Sequence, residues 1–380
     1  MNKVRLLAPG PVAVPPQVLE AMARPVFMHR GAQFRSLLLR VRERLGELAC
    51  VPGNEVLIVT GSGTAAFEAV LLASVPAGSK IVAVHAGKFG ERWAQMATTF
   101  GYSVVPVAFP WGRAADPEVL GRVLRENPDA VAVTTTHSET STGVLHDVEA
   151  MARVVRQQAP ETLMIVDAVT SLGAGELRPI DWGLDAVVSG SQKGLMTPPG
   201  LGVAWLSERA WLRGEQGLQP SYYLDLHRER KSQAKGETAY TPALNLLAGL
   251  DVALGMLLDE GLERVWSRRA ILNEALLAGG EGVGLARYAQ RVSPAVAALA
   301  VPAGIAAPDV VSALARRGIV ISGGQDEAKP VLIRPSVLGW ADAYDAITIV
   351  AGLEEVLREL GREVPFGSGV AATMKTLEAS

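Results

Sequence analysis

Cysteine is almost absent: Cys50 is the only one in 380 residues. That excludes an intrachain disulfide framework and any metal site built from a cysteine cluster. Neither sign of charge dominates, with 36 Lys and Arg against 39 Asp and Glu for a formal net charge of −3. The charges are interspersed along the chain, so no electrostatic footprint for nucleic acid or an anionic membrane surface is present. Long apolar runs are missing too. Although 49% of residues are hydrophobic, each apolar stretch meets a charge, Gly or Pro well short of the roughly 20 residues a spanning helix needs. A membrane protein is not expected. Met1-Asn2-Lys3-Val4-Arg5 runs into Pro9-Gly10-Pro11 with no apolar core and no small-residue cleavage site, so no secretory signal is expected either. Together with the lone cysteine this favours a cytoplasmic, reducing compartment.

What is present suits a large domain joined to a smaller one. Short β-branched apolar runs alternate with amphipathic segments, the pattern of a parallel sheet with crossover helices. The expected strands are Glu55 to Thr60, Lys80 to His85, Ser103 to Phe109, Ala130 to His137, Thr162 to Val169, Ala186 to Ser191 and Val203 to Ser207. Asp116 to Asn127 and Asp147 to Gln158 open with acidic caps and carry apolar residues at helical spacing, so they read as crossovers. The polar run from His227 to Gly236 cannot be buried in a sheet and marks a boundary just beyond it. Two apolar-striped helices follow from Leu244 to Ala278. Short strands (Val296 to Val301, Val331 to Arg334) then alternate with helices at Asp309 to Arg317 and Ala341 to Leu360. From Gly361 the scattered Gly and Ser, without a sustained period, predict a surface tail of low order.

Several strand ends carry chemistry. Thr60-Gly61-Ser62-Gly63-Thr64 sits between a strand and the apolar helix Phe67 to Val75, where backbone N–H groups and a helix start can cradle a phosphate. A Walker loop is excluded, because no lysine lies nearby. Gly61, Gly63 and Ala66 also fit a dinucleotide fingerprint, but the next strand ends at Val84-His85-Ala86 without the acid that holds a ribose hydroxyl. A simple tight turn remains the alternative. Thr134 to Gly143 packs hydroxyls, an imidazole and a carboxylate at another strand end. Asp167 lies inside an apolar run, costly to bury unless a cation or strong donor faces it. Lys193 ends a further apolar stretch, where burial lowers the ammonium pKa and frees a nucleophilic amine.

In this order, the Gly-rich loop, the strand-end Asp and Ser191-Gln192-Lys193-Gly194 resemble the fold-type I pyridoxal-phosphate enzymes. Within these the chain is similar to the class V aminotransferases, and most to the alanine–glyoxylate and serine–glyoxylate (serine–pyruvate) group. Further matches are Pro9-Gly10-Pro11, His29-Arg30 with Phe34-Arg35, His137-x-Glu139-Thr140-Ser141-Thr142-Gly143, Asp167-Ala168-Val169 and Arg334. The resemblance implies an α/β fold, with a seven-stranded mostly parallel sheet between helices and a smaller C-terminal α+β domain. It implies a large cofactor domain over 21–242 and a small domain over 243–362. Residues 1–20 would join the small domain, leaving 363–380 as the tail. Lys193 would hold pyridoxal 5′-phosphate covalently, and Asp167 would pair with its ring nitrogen. Ser62, Gly63 and Thr64 would bind the phosphate, with Gln192 beside the lysine. Phe89 would stack on the ring, Thr140 would bond its hydroxyl, and Val169 would pack on the opposite face. Tyr240 or Thr241 would reach the phosphate of a neighbouring subunit in a homodimer with shared sites. Arg334, with Gly10, would bind the substrate, as a planar donor clamping a carboxylate.

The implied reaction is transamination from a small amino acid, serine or alanine, to glyoxylate or pyruvate, with ping-pong kinetics. One departure keeps alternatives open. Arg334 is followed by Pro335-Ser336, where relatives carry Ile-Gly, and a proline there removes a donor and fixes φ. A degenerate accessory subunit, resembling proteins labelled as a small subunit of a soluble hydrogenase, is one alternative. Phosphonate- or phosphoserine-type transamination is another. Cysteine desulfurase chemistry needs a late nucleophilic cysteine, and Cys50 lies early.

Overall fold

The computed structural model describes residues 3–217 and 219–379. Its main sheet has seven strands in the order Val56–Thr60, Leu201–Leu206, Ala186–Gly190, Leu163–Asp167, Ala130–Thr136, Lys80–His85, Ser103–Ala108. Each lies within two residues of the segment read from the sequence. Leu201–Leu206 runs antiparallel to both neighbours, and the other pairings are parallel. Alternation along each strand builds two cores. Val56 and Ile58, Val82 and Val84, Met164 and Val166 face one side. Leu57 and Val59, Ile81, Leu163 and Ile165 face the other. The first core is closed by the helices Ala32–Ala49, Pro117–Glu126, Val148–Gln158 and Leu244–Glu260, the second by Gly63–Ser74 and Glu208–Gly214. The crossover helices begin where their acidic caps predict: Asp116 accepts from the Glu118 N–H and Asp147 from the Ala150 N–H.

A second sheet of four short antiparallel strands orders Ala286–Arg287, Leu299–Ala300, Leu332–Arg334 and Ser322–Gly323. The helices Leu262–Gly282, Ala307–Arg316 and Ala343–Glu359 form a separate core with it. The N-terminal strand Arg5–Leu6 pairs in parallel with Ile319–Val320, and Leu7 enters that second core. Among the described residues no helix is long and apolar enough to cross a membrane.

The expectation of a loosely held tail is overturned. Ser368–Glu378 is a helix packed against Leu262–Gly282 and Ala343–Glu359, with Thr373 fully buried. Gly369, one of the small residues that suggested disorder, helps permit the contact: a Cβ on it would lie 2.5 Å from Val283 Cγ1 and 2.8 Å from the Gly279 carbonyl oxygen. Across the joint, a Cβ on Gly279 would lie 2.1 Å from Thr373 Oγ1, and one on Gly282 3.0 Å from the Gly369 Cα. The buried Glu354 carboxylate completes the joint, accepting from the N–H groups of Gly367, Gly369 and Val370 at 2.9 to 3.1 Å. A carboxylate on the unpaired donors of a helix start is favourable.

Candidate active site

Parallel strands deliver their carboxyl ends to one edge, where open α/β sheets bind ligands. Thr60, Thr136, Asp167 and Gly190 end their strands there, and the loops beyond carry Ser62, Thr140, Val169, Gln192 and Lys193. Contacts knit them together. Gly63 lies so close to Val169 that a Cβ would be 2.7 Å from its Cγ2. Thr140 and Thr170 share a 2.6 Å hydroxyl hydrogen bond. A Cβ on Gly190 would meet Gln192 Oε1 at 2.9 Å and the Gly63 nitrogen at 3.2 Å. Gly10 closes over Lys193, since a Cβ on it would be 2.5 Å from Nζ. Phe89 occupies the first turn of Lys88–Thr99, packed beneath Arg92.

The Lys193 ammonium is 8% exposed and donates to the Pro9 carbonyl at 2.6 Å. Burial, reinforced by the nearby Arg334 cation, lowers its pKa to about 8, and the Asp167 charge only partly opposes this. Asp167 is buried as well, and desolvation pushes its carboxyl up to about 8 against the Val169 N–H bond at 2.8 Å. Among the described residues Asp167 forms no ion pair, so its burial leaves room for a cationic partner, which a protonated pyridine nitrogen would supply. The Gly63–Ser74 helix starts at Ser62, which makes no side-chain cap, so its first N–H groups face the loop. Gln192 Oε1 is buried without a partner beside them. A cation-seeking carboxylate, an anion-seeking helix start and a desolvated amine fit the ring, phosphate and aldehyde of pyridoxal phosphate.

Arg334 comes from the second sheet. Its Nε donates to the Gly323 carbonyl at 2.8 Å and its Nη1 to the Thr140 carbonyl at 2.7 Å, tying that sheet to the strand-end rim. Burial lowers its pKa to about 10, which leaves it charged at neutral pH. Pro335-Ser336 does not unseat it. The Pro335 carbonyl accepts from Ala297, and Ser336 donates to the Leu7 and Ala295 carbonyls.

Tyr240 and Thr241 make their contacts elsewhere in the chain. The Tyr240 hydroxyl donates to the Tyr222 carbonyl at 2.6 Å, its ring packs on Tyr222 and Tyr223, and Thr241 is exposed. Ala243 ties the segment to the rim, its N–H donating to Thr60 Oγ1 at 3.1 Å. Two residues without a role in the sequence reading stand in the site. Glu139, fully buried, accepts from the N–H groups of Phe89, Gly90 and Ser141 and from the Ser141 hydroxyl, fixing the Phe89 helix to the Thr140 loop. Arg92 donates to Thr64 Oγ1 at 3.3 Å. Its signal was the position three residues after Phe89, one helical turn on. Among the described residues no group of His, Cys, Asp and Glu is arranged to hold a metal ion.

Known proteins share this architecture. The sequence matches the family Aminotransferase class-V over residues 6–340. The soluble hydrogenase small subunit of Synechococcus sp. (strain PCC 6716) is 39% identical over the full length of both chains. The serine–glyoxylate aminotransferase of Methylorubrum extorquens is 32% identical, with 98% of this chain and 95% of that one covered. The crystal structure of the subgroup IV aspartate aminotransferase from Thermus thermophilus superposes with a TM-score of 0.87 at 41% identity, covering 94% of this chain and 99% of that one. The chain therefore belongs to the class V aminotransferases, transaminases of fold type I that depend on pyridoxal phosphate.

Proposed function

We propose that the protein moves the amino group of a small amino acid, serine or alanine, to glyoxylate or pyruvate by a ping-pong mechanism, as a homodimer. The observation that carries this reading is the convergence of Lys193, Asp167 and Arg334, all buried, on one rim. Pyridoxal phosphate, when bound, supplies the carbonyl that accepts the amino group and the ring that withdraws electrons. Arg334 clamps the α-carboxylate of the amino acid and so fixes its Cα. The Lys193 amine, its pKa lowered to about 8, would take the proton from that Cα as general base and pass it as general acid to the cofactor carbon that carries the transferred nitrogen, and the second half-reaction would run the same transfer in reverse. Asp167 would hold the ring nitrogen protonated, Phe89 and Val169 would pack on the ring, and Thr140 would bond its hydroxyl.

The exposed Tyr222 and Tyr223, stacked on Tyr240 beside Thr60, support a subunit contact that brings Tyr240 or Thr241 to a neighbouring phosphate loop. Light scattering should return twice the chain mass. A hydrogenase-accessory role, raised by the name of one relative, finds less support because Arg334 stays seated despite Pro335. Both readings meet one test. Protein loaded with pyridoxal phosphate should absorb in the visible, lose that band when serine or alanine is added, and recover it with glyoxylate or pyruvate. A colourless protein that takes up no cofactor sinks the transaminase reading. A coloured one that ignores every amino acid favours the accessory role.

A further inference from the structure

Among the described residues, Arg92 is a cation at this rim that the roles above leave unused. It projects from the helix Lys88–Thr99 with its guanidinium carbon 4.9 Å from the centroid of the Phe89 ring and Nη1 on the Thr64 hydroxyl. The side chain is half-buried. Its neighbour Lys88 is paired with Asp326 at 2.7 Å, whereas Arg92 forms no ion pair among the described residues. A half-buried guanidinium without a counter-anion keeps an uncompensated desolvation cost. Thr64 is the second residue of the Gly63–Ser74 helix, whose Ser62 cap offers no side-chain acceptor. A helix start and a guanidinium, joined through one hydroxyl, therefore converge with no protein anion between them. The Arg92 charge is close enough to Lys193 and Asp167 to favour the unprotonated form of each. That places it at the cofactor end of the cleft.

We propose that Arg92 is a cofactor-binding residue, the side-chain cation that recognises the phosphate of pyridoxal phosphate beside Thr64 while its planar face covers the back of Phe89. This rests on reading Ser62, Gly63 and Thr64 as the phosphate cradle. Backbone N–H groups and a hydroxyl supply dipoles, whereas a phosphate dianion also needs full charge, and a guanidinium fork matches its oxygens. One side chain then sets two things, the affinity for the phosphate and the position of the ring that stacks on the cofactor.

The experiment titrates cofactor-free protein with pyridoxal phosphate and, separately, with pyridoxal, which lacks the phosphate, following the visible band. Wild-type protein, Arg92→Gln and Arg92→Lys are compared. Arg92→Gln is expected to weaken pyridoxal phosphate binding by about 10- to 100-fold, the range for a hydrogen bond to a charged group. Its pyridoxal binding should stay within about twofold of wild type, with Arg92→Lys intermediate for the phosphate form alone. Equal weakening of both compounds would show that Arg92 merely props Phe89, and no weakening of either would also overturn the proposal. Should Arg92→Gln fail to fold, Arg92→Lys carries the same comparison. Wild-type protein that does not distinguish the two compounds would instead sink the cradle reading itself.

Discussion

The Lys193 amine and the Pro9 carbonyl, 184 residues apart, meet in a 2.6 Å hydrogen bond. The N-terminal segment is held at both ends of this contact. Arg5–Leu6 pairs with Ile319–Val320, Leu7 accepts from Ser336, and the Val12 N–H donates to the Gln192 carbonyl. It thus links the second core to Lys193 and fixes where the amine points.

Gly10→Ala tests that link. The φ of Gly10 is +143°, and an added Cβ would stand 2.5 Å from Lys193 Cδ, Cε and Nζ. The backbone is strained for any L side chain, at a cost of order 1–3 kcal/mol, and the lysine must leave its place. We expect melting to fall by only a few degrees, because the segment stays paired at both flanks. Turnover should drop about 100-fold or more, equivalent to roughly 2.7 kcal/mol at the transition state. Wild-type turnover in the Gly10→Ala protein would mean that the lysine does not depend on this segment.

Arg334→Lys separates charge from shape. Lysine keeps the cation but loses the fork that reaches Gly323, Thr140 and a substrate carboxylate together. The variant should lose about 10- to 100-fold in kcat/KM for amino acids, chiefly through KM, as expected when a charged hydrogen bond is weakened. Primary amines without a carboxylate should react equally poorly with both proteins. A matching loss for those amines would assign Arg334 to scaffolding.

Asp167 and Lys193 were legible in the sequence because one is a lone charge at the end of an apolar strand and the other lies just beyond one, and strand ends follow from hydrophobic runs. The sheet was legible for the same reason. Leu163 to Val166 leave no polar face, and central parallel strands need none. Arg92 had only its helical spacing from Phe89 to mark it, because a charge on an amphipathic helix ordinarily faces solvent and only the tertiary position of Thr64 gives it a partner. The C-terminal helix was hidden by its own packing solution. Gly369 reads as a breaker locally, yet its lack of a side chain, with that of Gly279 and Gly282 opposite, is what lets two helices touch. Local propensity and tertiary packing point in opposite directions there, and packing prevails.

His137 and His146 give the fold an acid limit. Both are buried, His146 Nδ1 accepts from the Ala115 N–H, and His137 Nδ1 and His146 Nε2 have no hydrogen-bond partner among the described residues. Burial lowers the pKa of His137 to about 3 and of His146 to about 4. Unfolded histidines titrate near 6.5, so between that pH and the folded values the unfolded chain binds more protons. Stability is complete above about pH 6.5 and is lost as the pH falls, by about 2 kcal/mol per histidine at pH 5. Denaturant midpoints measured from pH 7.5 to 5 should fall steeply for wild type and less steeply for His137→Asn or His146→Gln. Parallel slopes would place the acid sensitivity elsewhere.

Asp167 should stabilise the enzyme with its cofactor and destabilise it without. In the cofactor-free protein burial raises its pKa to about 8, far above the unfolded value near 4. Such a group weakens the fold as the pH rises from about 4 to 8, because the folded state must hold a proton that the unfolded state releases. Asparagine has the same shape, still accepts the Val169 N–H bond, and carries no charge to desolvate. Asp167→Asn without cofactor should therefore match wild type near pH 4. At pH 8 it should be more stable by at least about 2 kcal/mol, the free energy of one to two pKa units. Adding pyridoxal phosphate should reverse the ranking, since only the carboxylate can pair with a protonated ring nitrogen, and the variant should lose turnover while still taking up the cofactor on Lys193. Melting curves at the two pH values, with and without cofactor, read all four corners. Equal stabilisation of both proteins by the cofactor would show that Asp167 does not face the ring nitrogen.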